Sequence, residues 1–378
     1  MTKGKESIMI TRRIILVGAL VGLATPKRLR AQEEAYVLGT LFPMTGLLSE
    51  LGALYTSASN LALEHIAADA RLKRPILLKA QDSQSTPQGG AVGMSKLVNV
   101  DKAPYVLVGV TGVSKAAEPI ATRAKVMMVN GGGVGPDLAG LSPYFWNVIP
   151  LADQELPTAF KWMAQNGVKR VALIYLDDPI GNAMRKALTE GLPTIGASLV
   201  EAYSTAPTAQ QFSAIFARIR DVNPDLIYVS SFGTQQTQIF KQLRDNGLKQ
   251  PIMTYSIGGT PSVASLPEAD GLLFTSQVAD WNAVDPATRR FVDGWRDRFK
   301  SAPSTYAQNY YNAVLLYAQL LERLERDNKP VNGETLREAI SGGAFDLVGG
   351  RVVFSAKGSV DMPTQLNRIQ NGKIEKVS

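Results

Sequence analysis

The segment Val37–Gly52, VLGTLFPMTGLLSELG, contains the pattern that decides the fold: an apolar strand, a turn and the beginning of a helix. The apolar run at residues 36–41 predicts the strand, and Pro43 and Gly46 lie in the turn that follows. Apolar residues at three- and four-residue spacing then predict a helix at about 55–70. The same pattern repeats along the chain. Alternating strands and helices are typical of parallel sheets covered by helices, so we expect an α/β fold.

Two sets of strands and helices follow from this pattern. In the first set, strands are predicted at residues 36–41, 76–80, 105–109 and 126–130, with helices at 55–70, 87–99 and 114–124. In the second set, helices are predicted at 154–166, 180–190, 210–222 and 234–246, with strands at 170–176, 198–203, 225–230, 252–255 and 271–276. Sets of this size predict two doubly wound parallel-sheet domains. A groove between the domains is the expected ligand site.

The chain becomes mainly helical between residues 286 and 341. We expect this block to pack on the first domain, and we expect strands at 351–354 and 365–369 to return to the second. Trp295, Tyr310 and Tyr317 have the spacing of core residues on helices. No low-complexity linker separates the two halves, which favours several short crossovers over one flexible tether.

Composition restricts the chemistry that the protein can perform. The chain has 378 residues, of which 45% are hydrophobic and 19% charged, as expected of a globular protein large enough for two cores. It has no cysteine and one histidine, His65, which excludes disulfides, thiol nucleophiles and Cys-based zinc sites. Because His65 lies in an apolar helical pattern, we interpret it as an ordinary helix residue. We expect no catalytic residues, no cofactor and no metal.

The net charge of +7 is concentrated at the N-terminus. Of the 40 basic and 33 acidic residues, seven and one lie in residues 1–31, which leaves 33 and 32 in the rest of the chain. The basic pI therefore indicates nothing about nucleic acid, and we expect no nucleic-acid partner.

Residues 1–31 are predicted to be an export signal. The apolar run at residues 14–24 follows Arg12 and Arg13 and precedes Ala31, after which we expect cleavage. The run is shorter than the ~20 residues that span a bilayer, and no cysteine is present for lipidation. Either the general secretory route or the twin-arginine route fits the paired arginines. We expect a periplasmic protein that is not anchored to the membrane.

Several segments resemble, in order, the leucine/isoleucine/valine-binding family of periplasmic receptors for ABC importers. They are residues 37–52, Gln81-Asp82-Ser83, Gly109-Val110-Thr111-Gly112, Gly131-Gly132-Gly133, residues 175–181 and Arg244-Asp245-Asn246-Gly247-Leu248. The resemblance implies a type I periplasmic binding protein, with two lobes joined by three crossovers. It places lobe boundaries at 32–151 with 279–345, and at 152–278 with 346–378.

The resemblance also indicates which residues would hold the carboxylate of a ligand. In amino-acid-binding members, the first lobe holds it with a serine after the third strand and a small residue plus threonine after the fourth. The matching loops here contain Thr111, Gly112 and Ser114, and then Gly132, Gly133 and Val134. Val134 stands where the threonine is expected, so one hydroxyl is missing. Ser114 is also a candidate N-cap of the following helix.

The residues that bind an ammonium group in the family are not matched in direct alignment, although a shift of one residue would place Asp153 at the first of these positions. The acid expected at the start of the second lobe aligns with Ala152, beside Asp153, and the later glutamate falls at Ser256 or Ile257. The tyrosines that close over the ligand correspond to Leu51, Ile180 and Phe232. Because burying an unpaired ammonium costs several kcal/mol, we expect a carboxylate or amide, such as an aromatic acid, rather than an α-amino acid.

Other motifs allow two interpretations. Gly131–Gly135 excludes a P-loop, since no Gly-Lys-Ser follows, and is either a tight turn or a loop whose N–H groups reach a ligand anion. Asp177-Asp178-Pro179 fits a helix cap better than a paired-carboxylate active site. Tyr255, Trp281 and Phe232 follow predicted strands, where they either contact the ligand or pack in the core.

The sequence predicts a receptor that binds a small organic solute and docks as a monomer on the permease of an ABC importer. A ligand-sensing subunit of a regulatory system on the same fold is the alternative, and a neighbouring permease or regulator gene would distinguish the two. A cofactor-dependent enzyme is a third hypothesis, for which the chain lacks a set of catalytic residues.

Overall fold

The computed structural model describes residues 35–377, so the predicted export signal lies outside the described residues. Residues 35–147 form a parallel sheet in the order β2-β1-β3-β4-β5. Its strands are β1 (Tyr36–Phe42), β2 (Ile76–Asp82), β3 (Tyr105–Val108), β4 (Met127–Asn130) and β5 (Phe145–Asn147). The helices of this segment are α1 (Ser49–Asp69), α2 (Pro87–Asn99) and α3 (Thr111–Arg123).

Residues 152–277 form a second alternating unit. Its helices are α4 (Ala152–Gln165), α5 (Pro179–Gly191), α6 (Ser213–Val222), α7 (Gly233–Asp245) and the short α8 (Pro261–Ala264). Its strands are β6 (Arg170–Leu176), β7 (Ser198–Thr205), β8 (Leu226–Ser230), β9 (Ile252–Thr254) and β10 (Leu273–Gln277).

The remaining residues supply three helices and two strand pairs. The helices are α9 (Pro286–Phe299), α10 (Thr305–Arg326) and α11 (Gly333–Ile340). The strands are β11 (Ala344–Leu347), β12 (Gly350–Val353), β13 (Thr364–Gln370) and β14 (Lys373–Lys376). No helix within residues 35–377 has the length and apolar character needed to cross a bilayer.

The second sheet has the order β14-β13-β10-β9-β8-β6-β7, in which β13 and β14 are antiparallel to their neighbours and the other strands are parallel. We call residues 35–147 with 286–353 the first lobe, and residues 152–277 with 364–376 the second lobe. The predicted α/β fold with two doubly wound lobes is confirmed.

The helix α10 attaches the helical block to the first sheet. Tyr317 stacks on Tyr105 with ring centroids 4.4 Å apart, and the Tyr105 hydroxyl donates to the Ala313 carbonyl at 2.8 Å. Trp295, Tyr310 and Tyr317 are all buried, as their spacing predicted. The block therefore completes the core of the first lobe.

Three crossovers join the lobes, at residues 148–151, 278–285 and 354–363. The first and third lie side by side. Asn147 Nδ2 donates to Ser359 Oγ at 3.0 Å, and Gln154 Nε2 donates to the Val360 carbonyl at 2.9 Å. The exact lobe boundaries that the resemblance implies stay a prediction.

Three predicted helix starts are wrong by three or more residues. The helix α6 begins at Ser213 rather than at residue 210. The helix α1 begins at Ser49 rather than at residue 55, and it contains Gly52, a weak helix former, because a Cβ at that position would overlap the Pro43 carbonyl. The helix α3 begins at Thr111, so Ser114 is not its N-cap. The Ser114 N–H already donates to the Val110 carbonyl at 2.8 Å and lies inside the helix.

The strand predicted at 351–354 does not return to the second sheet. Its residues form β12, which pairs only with β11 in an antiparallel hairpin. Gly349 and Gly350 have φ values of +91° and +120°, a backbone geometry that favours glycine and reverses the chain between the two strands. The hairpin keeps these residues with the first lobe.

Candidate ligand cleft

A cavity lies between the two lobes, at the carboxyl ends of the parallel strands. It contains about 350 Å³ of atom-free space, including its mouth. Only about 30 Å³ of this space can hold the centre of a water-sized molecule, well below the range of ~300–1,000 Å³ for ligand pockets, so the walls of the cavity lie close together in this structure. The strand ends and following loops of both lobes supply most of its wall, as in other open α/β sheets.

The structure brings eight of the eleven residues predicted for this site to the cavity wall. They are Leu51, Thr111, Gly132, Gly133, Val134, Ile180, Phe232 and Ile257. Gly112, Ser114 and Ser256 are not among the lining residues. Ser114 is fully buried with no hydrogen-bond partner for its hydroxyl, and a Cβ at Gly112 would lie 3.8 Å from Pro179 of the other lobe.

The glycine loop after β4 is a packed turn rather than an open anion cradle. Asn130 Oδ1 accepts the N–H groups of Gly132 at 3.2 Å and Gly133 at 2.8 Å, so both groups already have a partner. A Cβ at Gly132 would lie 2.5 Å from Tyr55 Oη and 2.7 Å from the Gly109 carbonyl. The loop needs glycine because other groups approach it closely.

The amino end of α3 is the feature of the first lobe best suited to an anion. Val110 and Thr111 lie at this end and line the cavity. Val110 is the N-cap and supplies no side-chain hydrogen bond to the first turn. The first N–H groups of a helix lack intrahelical acceptors and carry partial positive charge, which stabilises a bound carboxylate.

Tyrosines form the inner end of the cleft. Tyr306 lines the cavity, and behind it Tyr55 and Tyr310 stack with ring centroids 3.9 Å apart. The Tyr310 hydroxyl donates to the Val108 carbonyl at 2.8 Å, whereas the Tyr55 hydroxyl has no partner. Sequence reasoning placed Tyr310 in the core but did not connect it with the cleft, since α10 is distant in the chain.

Asp178 provides the carboxyl group of the cavity wall. It is the N-cap of α5, and its Oδ1 accepts the Gly181 N–H at 2.8 Å, which confirms the predicted helix cap. It also lines the cavity, a position that the cap interpretation did not anticipate. Burial raises its pKa to about 6. Among the described residues that line the cavity, no lysine, arginine or histidine is present to pair with it.

A second carboxyl lies one layer behind the wall and was missed from the sequence. Glu155 on α4 is 1% exposed, and its Oε2 accepts the Ser256 N–H at 3.1 Å and the Thr275 hydroxyl at 2.9 Å. Its Oε1 has no partner, and burial raises the pKa of Glu155 to about 7. The feature of the sequence that could have identified Glu155 is its position three residues after Ala152, which places both residues on the same face of the helix.

The remaining candidates divide between positions on the cavity wall and positions away from it. Ala152 is buried, and Asp153 is exposed on the outer face of α4, so a shift of one residue does not bring a carboxylate to the ligand site. Trp281 packs near Phe291, with ring centroids 6.2 Å apart, whereas Tyr255 and Phe232 line the cavity. His65 Nδ1 hydrogen-bonds the Tyr311 hydroxyl at 2.6 Å between α1 and α10, as an ordinary packing residue.

The lobes touch across the mouth of the cleft. Glu50 Oε1, in the first turn of α1, accepts the Ser262 N–H of α8 at 3.1 Å. Gly233 has a φ of +60° and lies so close to the Leu47 carbonyl that a Cβ would overlap it. The structure therefore represents a closed arrangement of the two lobes.

Residues 35–377 contain no cluster of three side chains that could hold a metal ion.

Comparison with known proteins agrees with this architecture. The profile of the family described as "Periplasmic binding protein" matches residues 36–373. The leucine-specific-binding protein of Salmonella typhimurium is 24% identical over 315 residues, which cover 82% of this chain and 84% of that protein. The Leu/Ile/Val-binding protein of Escherichia coli is 21% identical over 357 residues, covering 93% and 94%.

Solved structures share the fold. A solute-binding protein of an ABC transporter from R. palustris, in complex with benzoate, superposes with a TM-score of 0.82 at 18% identity, covering 91% of this chain and 96% of that one. A leucine-binding protein from Thermotoga maritima superposes with a TM-score of 0.80 at 22% identity, covering 91% and 98%. The chain belongs to the periplasmic binding protein family.

Proposed function

We propose that the protein is the receptor of an ABC importer, which encloses a small organic carboxylate or amide and delivers it to a permease. The observation that carries this proposal is the position of the cavity between two closed lobes, with one helix amino end and a mainly apolar wall. Closure over a ligand selects the conformation that docks on the transporter. The receptor acts without turnover, as a monomer exported to the periplasm.

The amino end of α3 is the proposed site for the ligand carboxylate. Its first-turn N–H groups and the Thr111 hydroxyl lie beside the cavity, and Thr111 is itself 4% exposed. Desolvated N–H groups stabilise an anion more strongly than exposed ones, because the local dielectric is low. An amide oxygen would bind the same donors.

The rest of the wall favours an apolar ligand body without an α-amino group. Leu51, Ile180, Phe232 and Ile257 surround the cavity where closing tyrosines and an acid were expected. Asp178 is the lining carboxyl, but one of its oxygens already accepts the Gly181 N–H. We therefore infer that an aromatic or branched aliphatic acid, or the matching amide, is the ligand class. The benzoate complex of the R. palustris protein is consistent with this choice.

A thermal-shift panel tests the proposal, because a ligand that binds only the folded state stabilises it by about 2.7 kcal/mol at a concentration of 100 Kd. Benzoate, benzamide, 4-methylpentanoate and leucine form the panel. 4-Methylpentanoate has the branched body of leucine and lacks its amine, so this pair isolates the ammonium group. We expect the acids or the amide to raise Tm more than leucine does. A shift with leucine and none with the others would contradict the proposal.

A further inference from the structure

Glu155 is a buried acid without a counter-ion. Its carboxyl is 1% exposed and has two uncharged donors, the Ser256 N–H and the Thr275 hydroxyl, both on Oε2. Its Oε1 has no hydrogen-bond partner. Within residues 35–377, no lysine, arginine or histidine forms a hydrogen bond or an ion pair with it. An isolated buried carboxylate is costly unless it is paired, and otherwise it takes up a proton.

A short chain of contacts connects this acid to the ligand cavity. Glu155 accepts the backbone N–H of Ser256, and the Ser256 hydroxyl lies 3.3 Å from the Tyr306 hydroxyl. Tyr306 lines the cavity, as do the two neighbours of Ser256 in sequence, Tyr255 and Ile257. The carboxyl is therefore one residue layer behind the cavity wall.

The groups that face Glu155 come from four elements besides its own helix. They are Tyr228 of β8, Tyr255 and Ser256 of the segment after β9, Thr275 of β10 and Tyr306 of α10. Burial raises the pKa of each of these tyrosines above its ordinary value, so all three remain neutral phenols. Asp178, which faces Tyr255, is the neighbouring acid. None of these groups supplies a positive charge to Glu155.

We propose that Glu155 is a specificity-determining residue: it takes up a proton when the cleft closes on a ligand whose only charge is its carboxylate. This inference rests on the proposed function, because Glu155 takes up a proton, rather than releasing one, only if the ligand is an anion. A second negative charge brought into a cavity without cationic side chains makes the ionised form of Glu155 still less favourable. Protonation of Glu155 removes the repulsion between its carboxylate and that of the ligand. A ligand ammonium group would instead favour the ionised form of Glu155 and release its proton.

Two variants distinguish Glu155 from Asp178, the other carboxyl near the cavity. Glu155→Gln preserves the shape and the two accepted hydrogen bonds of Glu155 while removing its ionisation. Asp178→Asn does the same for the acid at the cavity wall, which is the alternative proton acceptor. The Ser256 and Thr275 donors are left in place in both variants.

Isothermal titration calorimetry with sodium benzoate at pH 7, 7.5 and 8, in two buffers of different ionisation enthalpy, measures protons taken up per ligand bound. We expect uptake of up to one proton by the wild-type protein, and a Kd that rises by up to about tenfold per pH unit. In Glu155→Gln we expect no uptake and a flat Kd, whereas Asp178→Asn should retain the uptake.

Proton uptake by the wild-type protein is measured without any variant, so it tests the inference even if Glu155→Gln does not fold. Benzoate binding without proton uptake overturns this inference alone, as does equal uptake in Glu155→Gln. Absence of binding by benzoate, benzamide and 4-methylpentanoate alike overturns the proposed function, and this inference falls with it.

Discussion

The Glu155 carboxyl lies in the second lobe without a counter-ion, and its burial affects folding as well as binding. Its pKa is raised from 4.5 to about 7 in the folded protein. A raised acid pKa means that the folded state prefers the protonated form. The resulting penalty on stability is absent below pH 4.5, grows between 4.5 and 7, and is constant above 7.

We predict that Glu155→Gln gains stability relative to wild type as the pH rises. The expected gain between pH 4.5 and pH 8 is about 3 kcal/mol, from a shift of ~2.5 pKa units at 1.36 kcal/mol each. Urea unfolding at both pH values measures it. The control is Asp153→Asn, which removes an exposed carboxyl from the same helix. The prediction would be refuted if the free energy of unfolding changed with pH by the same amount in Glu155→Gln and in the wild-type protein.

Much of the cavity wall was predictable from the sequence, whereas Glu155 was not. Thr111 and Val134 follow strands of the first sheet, and Ile180 follows a strand of the second. Because ligands bind at the carboxyl ends of parallel strands, the order of the strands predicts that these residues lie near the cavity. Glu155 lies inside a helix and bonds Ser256, 101 residues away. Only the packing of α4 against the second sheet creates that contact, and no local pattern encodes it.

The order of the main strands and helices was predictable, whereas the short strands β5, β11 and β14 were not predicted and the limits of several elements depended on contacts between them. The strand β12 has the apolar pattern of a sheet strand, and the reversal at Gly349 and Gly350 diverts it into a hairpin. The start of α1 was missed because Gly52 lowers helix propensity while fitting against Pro43. Both differences come from tertiary contacts that override local preference.

The contact between α1 and α8 crosses the cleft, so it forms only when the lobes close. Glu50 Oε1 accepts the Ser262 N–H at 3.1 Å near the exposed mouth. We predict that Glu50→Ala weakens benzoate affinity by about three- to tenfold, since one hydrogen bond to a charged group contributes roughly 1 kcal/mol. Calorimetry measures the loss.

The matched control for this prediction is Glu64→Ala. Glu64 pairs with Arg298 of α9 at 2.6 Å within the first lobe, and that ion pair does not cross the cleft. Its removal should leave ligand affinity unchanged. An equal loss of affinity in both variants would show that the Glu50 effect does not come from lobe closure.

At the level of the whole molecule, the charge distribution separates the N-terminus from the rest of the chain. Residues 32–378 contain 33 basic and 32 acidic residues, whereas residues 1–31 contain seven and one. Residues 32–378 are thus nearly neutral, so the basic pI of the whole chain comes from its first 31 residues.

We predict that the protein recovered from the periplasm begins at Gln32, after cleavage at Ala31. Cleavage would remove the basic segment and lower the net charge from +7 to +1. Intact mass spectrometry and N-terminal sequencing of the exported protein measure this. Recovery of a chain that begins at Met1 would contradict it. Substitution of Arg12 and Arg13 by lysine would block export only on the twin-arginine route.

The place of β13 in the second sheet affects when this lobe can finish folding. Thr364–Gln370 pairs with the edge of β10, and β14 then pairs with β13. A chain in which Thr364–Gln370 has not yet paired therefore has an uncovered edge on β10. Exposed strand edges recruit other chains. The second lobe is open to such pairing for as long as β13 has not docked, so the docking of β13 is the step that protects this edge.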